Sequence, residues 1–371
     1  MRWIVLAGEY PPVIGGVAQH TYGVVAELSR RGHAVSVISG LQERWTSRGL
    51  PKLSALIDRE PRPRRLLVPY APNVFGCRGM NFAICGWLQE RRRTGDEIHL
   101  IIHEPFYPWR LVDKPSRWIL AAAQRHMMRR LLGASTRVYV STSAWEPMVR
   151  SVASRSIAIE QLPSFSNVPV CSDREAAVAA RRALLPDGEG RVIGTFGAQP
   201  RWARQLLLEL VTQTAASTCR WLFIGNGSDE VVRAVAAASP ARSRFVAATG
   251  TVDERSLSVH LQACDVMVQP YVDGVTTRRT TAMAALAHAV PLVTNEGRLT
   301  ETLWQESAAV CLVPSNAGSY AAALRRLVAE DARRRGLGAL GAALYDARFA
   351  VRHAVDTILQ DEDVIAAVAV G

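Results

Sequence analysis

The feature that most constrains this chain is an alternation, run through twice, of short all-apolar segments with segments of helical period. The first series opens on Trp3–Ala7, an unbroken apolar run that suits a strand buried on both faces of a parallel sheet. The loop Gly8–Gly16 follows, with its Pro-Pro and Gly-Gly pairs. Val17, Tyr22, Val25 and Leu28 then recur at helical spacing up to Arg31, Gly32 ends the helix, and Ala34–Ser39 returns to a strand. This is a βαβ unit with a Gly-rich first turn. Leu66–Tyr70, Ile98–His103 and Arg137–Ser141 read as further strands, and Arg117–Leu132 as a long helix. Pro, Ser and Asn cluster in 162–170, the composition of a linker. The alternation then restarts. Strands over Arg191–Phe196, Arg220–Gly225, Arg244–Thr249, Asp265–Gln269 and Val290–Thr294 are separated by helices over Arg204–Thr214, Glu230–Ala238, Val252–Ala263 and Thr281–His288. Two such series imply two doubly wound α/β domains, 1–168 and 169–350, with ligands at the carboxyl ends of the strands.

A length of 371 residues is comfortable for two domains, and 49% apolar with 21% charged residues is the balance of a folded chain. The formal charge of +11 is almost all arginine, since Lys52 and Lys114 are the only lysines. A genome-wide composition skew and a binding design both produce that pattern. Either way the field favours anionic ligands such as nucleotide diphosphates or anionic membranes. No groove-reading or RNA-recognition signature is present, so nucleic acid is not an expected partner. The six cysteines are scattered without a CxxC pair, which suits neither a metal site nor a disulfide framework. The first apolar run is too short for a signal peptide, and no stretch approaches the roughly 20 apolar residues of a membrane span. A cytoplasmic protein is the expectation.

Particular segments narrow the function. Tyr10-Pro11-Pro12-Val13-Ile14-Gly15-Gly16-Val17-Ala18-Gln19-His20 is followed by a helix and then by Gly32-His33-Ala34-Val35. Gly225-Asn226-Gly227 follows the apolar strand Trp221–Ile224. Gly250-Thr251-Val252, a helix, Ala263-Cys264-Asp265-Val266 and Gln269-Pro270 complete the series. In this order the segments resemble the GT-B fold glycosyltransferases of the large retaining family 4, over Met1 to about Ala350. The resemblance implies two Rossmann-like domains facing across a cleft, with the C-terminal helix, about 351–371, returning to the first domain. It implies that the second domain binds a nucleotide diphosphate sugar through Gly225 and Gly227, and that the Gly15-Gly16 loop faces that donor. The physics is compatible: glycines let backbone approach a ligand closely, and a helix N-terminus offers N–H groups to phosphate.

The departures are specific. After Pro270 the family carries two glutamates separated by seven intervening residues, binding donor sugar and ribose, and here those positions are Thr276 and Ala284. The turn reads Asp273-Gly274-Val275-Thr276-Thr277-Arg278-Arg279-Thr280-Thr281 and leads into a helix. Arg278 and Arg279 with Thr276, Thr277 and the helix N-terminus form a candidate diphosphate cradle. A Thr/Arg-rich cap on a solvated helix is the plainer reading. Asp273 is a candidate partner for a donor hydroxyl, and a missing ribose carboxylate is also compatible with a deoxyribose donor. In place of the family's Gly-Arg…Lys-Gly stretch stands 194–204, where Gly197 is a donor-binding candidate and Arg201 or Arg204 the candidate for neutralising the departing diphosphate, against a simple helix start.

His103 closes the strand Ile98–Ile102 and resembles the family's strand-end histidine that contacts the donor sugar, against a purely structural histidine. Glu104, His20, Tyr70 and Asn73 are the acceptor-side candidates, the last two with Gly79, Met80 and Asn81 in one loop. No Asp-x-Asp metal motif stands at the end of an expected strand. The expectation is therefore a metal-independent glycosyltransferase without a cofactor, moving a sugar with retention to a small-molecule or glycan acceptor by front-face chemistry. The arginine-rich stretch 125–130 leaves peripheral contact with an anionic membrane open, beside a solvated helix face. The rival readings are a sugar-nucleotide epimerase or hydrolase, and a catalytically silent nucleotide-binding partner protein.

Overall fold

A computed structural model describes residues 2–13, 15–40, 45–109, 113–154, 156–216 and 218–369, with side chains described through Gln360. The chain divides into two units: one runs to Ser164 and is rejoined by the segment from Val351, and the other is Phe165–Ala350. The division falls before Phe165 rather than after residue 168, because Val168 is already packed in the second unit's core.

In the first unit, β1 (Arg2–Ala7), β2 (Ala34–Ser39), β3 (Arg64–Tyr70), β4 (Glu97–Ile102), β5 (Arg137–Val140) and β6 (Ile159–Gln161) form one parallel sheet, in the order β2-β1-β3-β4-β5-β6. Burial of β1 on both faces explains its unbroken apolar run. The strand β3 begins two residues earlier than its apolar run, on Arg64 and Arg65, both 3% exposed. Arg64 is tolerated there because its Nε donates to Asp96 at 2.8 Å and its Nη1 to the Ile57 carbonyl at 2.9 Å. Asp96 is itself fully buried and takes a second bond from Arg91 Nε at 2.6 Å. Part of the arginine excess is thus consumed inside the fold rather than at its surface. The helix Phe82–Arg93, which has no clear apolar period in the sequence, starts on Asn81. The Asn81 amide donates to the Trp45 and Phe75 carbonyls, and its oxygen caps Ile84 N–H. The helix Val351–Ala369 packs on the helix Gly16–Arg30, with Arg31 Nη1 on Asp356 at 2.6 Å.

The second unit carries β7 (Arg191–Phe196), β8 (Cys219–Ile224), β9 (Val246–Ala248), β10 (Val266–Gln269), β11 (Leu292–Asn295) and β12 (Cys311–Val313), ordered β12-β11-β10-β7-β8-β9 and parallel throughout. The chain starts in the middle of this sheet, builds outward through β8 and β9, then returns to the other side of β7 with β10. The crevice of a doubly wound sheet opens at the carboxyl ends of the two strands where that reversal occurs. Here those strands are β7 and β10.

Candidate functional site

A pocket of about 280 Å³ lies at that reversal point. Its walls come from the end of β7 (Phe196), from Ala198, Gln199, Pro200 and Trp202 but not Arg201, from the end of β10 with Pro270 and Tyr271, and from the turn Arg278–Thr281. Gly197 has φ +87°, a left-handed conformation, and a Cβ there would stand 2.9 Å from the Thr281 methyl. The Gln199 amide holds the turn by donating to Thr195 Oγ1 at 3.0 Å and to the Gly197 carbonyl at 3.2 Å.

Across the pocket, the Tyr271 N–H donates to Asn295 Oδ1 at 2.8 Å, and its hydroxyl shares a 2.7 Å hydrogen bond with Thr281. Burial pushes that phenol up to about 12, so it stays neutral at working pH. The Arg279 guanidinium lies over the Tyr271 ring at 4.6 Å, and Arg279 is the N-cap residue of the helix Thr280–Ala287. No acidic side chain stands in that helix's first turn. Two half-buried arginines, a helix N-terminus and a hydroxyl pair therefore border one concave space, which is a chemistry suited to a diphosphate.

The neighbouring turn is organised differently from the sequence expectation. Thr276 and Thr277 are fully buried. Thr277 donates its N–H to Glu301 Oε2 at 2.9 Å and its hydroxyl to Glu301 Oε1 at 2.6 Å, while Trp304 Nε1 donates to the same Oε2 at 2.9 Å. The backbone N–H and the hydroxyl of Thr277 are thus both committed to a carboxylate that carries no local signal in the sequence. The Thr276 hydroxyl is buried without a hydrogen-bond partner, and Ala284 is fully buried in the helix. Asp273 pairs with Arg298 at 3.2 Å, beside Gly274, whose φ of +85° and close approach to Gly297 leave no room for a Cβ.

The other second-unit candidates have mixed roles. Arg201, the first residue of the helix Arg201–Thr214, is exposed. Arg204 is paired with Glu230 at 3.2 Å. Gly225 and Gly227 have φ of +96° and +82°, and they turn the chain from β8 into the helix Ser228–Ala238. The Gly225 N–H is taken by Thr249 Oγ1 at 3.0 Å.

In the first unit, the loops after β1 and β3 meet at Gly8, where a Cβ would stand 2.3 Å from the Val74 carbonyl oxygen. Gly15 caps the helix Gly16–Arg30 in an extended conformation without a side-chain cap. On that helix His20 is 2% exposed, and it meets His103, 8% exposed, edge to face with ring centroids 4.7 Å apart. Burial first, and the His103 ring second, hold the His20 imidazole well below its usual 6.5. His103 is fixed at the end of β4 by its own backbone. Its N–H donates to the Tyr70 carbonyl at 2.9 Å, and its carbonyl accepts from Trp145 Nε1 at 3.1 Å. Glu104, next in the chain, is exposed.

Of the acceptor-side candidates, Asn73 is exposed, whereas Tyr70 is 1% exposed, stacked on Phe75, with its hydroxyl unpartnered. Tyr70 and Asn81 therefore build the loop from inside rather than line it. Among the described residues, no group of three or more His, Cys, Asp or Glu is placed to hold a metal ion, and no helix is long and apolar enough to cross a membrane.

Residues 190–330 match a family model described as glycosyl transferases group 1. No curated protein sequence matches significantly. Among solved structures, sucrose-phosphate synthase from Thermosynechococcus elongatus superimposes with a TM-score of 0.71 at 16% identity, covering 99% of this chain and 100% of the other. Anabaena HepE in complex with UDP and glucose gives 0.66 at 12% identity, covering 98% and 100%. A glycosyltransferase from Rickettsia africae gives 0.70 at 12% identity, covering 98% of each chain. The chain has the GT-B fold of two Rossmann-like domains, and its residues 190–330 match a glycosyltransferase group 1 domain.

Proposed function

We propose that this protein transfers a sugar from a nucleotide diphosphate sugar to a small-molecule or glycan acceptor, with retention and without a metal. The observation that carries this reading is the pocket at the ends of β7 and β10, inside the residues matched by the group 1 model. There Arg278, Arg279 and the N-terminus of the helix Thr280–Ala287 stand together. A uridine nucleotide is the first donor to test, since HepE was crystallised with UDP and glucose.

In the proposed reaction the bond from the anomeric carbon to the diphosphate breaks, and its electron pair leaves on the phosphate oxygen. The two arginines and the helix N-terminus stabilise that charge. The acceptor hydroxyl bonds to the same face of the carbon and gives its proton to the departing oxygen. The second unit holds the donor. The first unit is the acceptor side, with His103 as its candidate hydrogen-bonding group. Calorimetry with UDP on the wild type, Arg278→Ala and Arg279→Ala tests the cradle. Losing one charge-assisted bond, about 1.5–3 kcal/mol, weakens binding roughly tenfold or more. Unchanged affinity in both variants removes the cradle, and a mass-spectrometric donor screen without any sugar transfer removes the reaction.

A further inference from the structure

Tyr271 carries no charge, yet it touches two of the residues that border the pocket from the arginine turn. It stands two residues beyond the end of β10 and is 8% exposed. Its backbone is pinned on both sides: the N–H donates to Asn295 Oδ1 and the carbonyl accepts from Asn295 Nδ2, each at 2.8 Å. Asn295 is held in turn. The Tyr320 hydroxyl donates to its Oδ1 at 3.0 Å, its Nδ2 also donates to the Glu296 carbonyl at 2.9 Å, and Asn295 and Tyr320 are both buried. The direction in which the Tyr271 side chain leaves the chain is therefore set from the interior of the unit.

Two contacts follow from that direction. The hydroxyl shares its 2.7 Å bond with Thr281 Oγ1, which fixes the tilt of the ring, and the Thr281 methyl stands against Gly197 in the turn after β7. The ring itself lies beneath the Arg279 guanidinium, a cation–π seat for a side chain that departs from the N-cap of the helix Thr280–Ala287. An unsupported arginine samples many rotamers, and ordering it on a ligand costs affinity. A guanidinium already laid on a buried ring has lost that freedom before the ligand arrives, and its planar N–H edge stays available to a diphosphate. The plainer reading is a core tyrosine whose hydroxyl finds a partner, as buried tyrosines do. That role accounts for the bond to Thr281 but not for the arginine over the ring.

We infer that Tyr271 is a positioning residue for the donor: its ring seats the Arg279 guanidinium, before the nucleotide binds, in the arrangement that receives the diphosphate. The inference rests on the proposed cradle. The test is calorimetric titration of UDP into the full chain as wild type, Tyr271→Phe, Tyr271→Leu, Arg279→Ala and the double variant of Tyr271→Leu with Arg279→Ala. Melting temperatures are read on the same preparations, and Tyr271→Met takes the place of the leucine if that variant does not fold. The phenylalanine variant keeps the ring and is expected to bind within about twofold of wild type. The leucine variant loses the seat and is expected to bind about threefold to tenfold more weakly, the cost of ordering one long side chain. Because Tyr271 acts through Arg279, the double variant is expected to bind no more weakly than Arg279→Ala alone. Leucine binding like phenylalanine, or phenylalanine as weakly as leucine, overturns the inference. So do losses that multiply in the double variant, the mark of a tyrosine that only supports the fold. If Arg279→Ala binds like wild type, the cradle falls and the inference with it. A weakened Arg279→Ala beside an unaffected leucine variant sinks the inference alone.

Discussion

Glu301 is the residue on which the turn at Thr277 rests, and its removal has a cost that can be worked out from its bonds. Its two oxygens accept the Thr277 N–H and the Trp304 Nε1–H at 2.9 Å each, and the Thr277 hydroxyl at 2.6 Å. Thr277 and Trp304 are fully buried. Glu301→Ala therefore strands two buried donors that cannot rotate towards another acceptor, and a hydroxyl that can. Each unmet donor costs about 1–3 kcal/mol, and partial entry of water into the space left by the side chain brings the total to roughly 3 kcal/mol. For a domain of about 150–250 residues each kcal/mol lowers the melting temperature by about 2–4 °C, so a fall of about 6–12 °C is expected for the second unit's transition. Differential scanning calorimetry on wild type and variant reads it. A shift within about one degree of wild type would falsify the claim that this carboxylate holds the turn.

Two further outcomes follow from the first unit. The His20 imidazole titrates well below its usual 6.5 when folded, so its contribution to stability is complete above about 6.5. It is lost as pH falls from there towards the folded value, at about 1.4 kcal/mol per pH unit. His99 and His288 are lowered by burial in the same sense. A His20→Gln variant should consequently melt with a flatter acid limb than wild type, and an unchanged limb would refute the assignment. His103→Ala should lower kcat by roughly a hundredfold with donor affinity kept. Lost melting temperature with normal kcat per folded molecule would make His103 structural.

The fold was legible because strands buried on both faces carry unbroken apolar runs, as Trp3–Ala7 and Trp221–Ile224 do. What escaped notice was short or charged. The edge strands β6 and β12 have only three residues each. The start of β3 is hidden by Arg64 and Arg65, whose burial makes sense only once Asp96 and Glu97 are beside them. The helix Phe82–Arg93 mixes exposed Phe82 with buried Arg91, which blurs its apolar period. The candidate site was legible where it is local. Gly197 directly follows β7, and the arginine turn leads from the segment after β10 into the helix Thr280–Ala287, the side of the sheet where a doubly wound fold opens its crevice. The His20–His103 contact joins two elements far apart in sequence and left no local signal.

Glu301 escaped for the same reason, since it reaches Thr277 across 24 positions from the loop after β11. It also changes the electrostatics of the proposed cradle. The helix N-terminus contributes roughly half a positive charge, and the two arginines one each, while Glu301 subtracts one beside the Thr277 N–H. Glu301→Gln separates geometry from charge. Its amide oxygen can still accept the Thr277 N–H and the indole N–H, and its NH2 can donate to the Thr277 hydroxyl. The turn is then kept and a negative charge removed. A unit charge acting on a phosphate about 8 Å away, in an effective dielectric of about 20, is worth roughly 2 kcal/mol before screening by salt. Partial exposure of the pocket reduces that, so Glu301→Gln is expected to bind UDP about threefold to tenfold more tightly than wild type, most clearly at low salt. Calorimetric titration of UDP at two ionic strengths reads the effect. If the glutamine variant keeps its melting temperature yet binds UDP more weakly, the carboxylate is itself a ligand for the donor, and the diphosphate does not sit where the two arginines and the helix N-terminus place it.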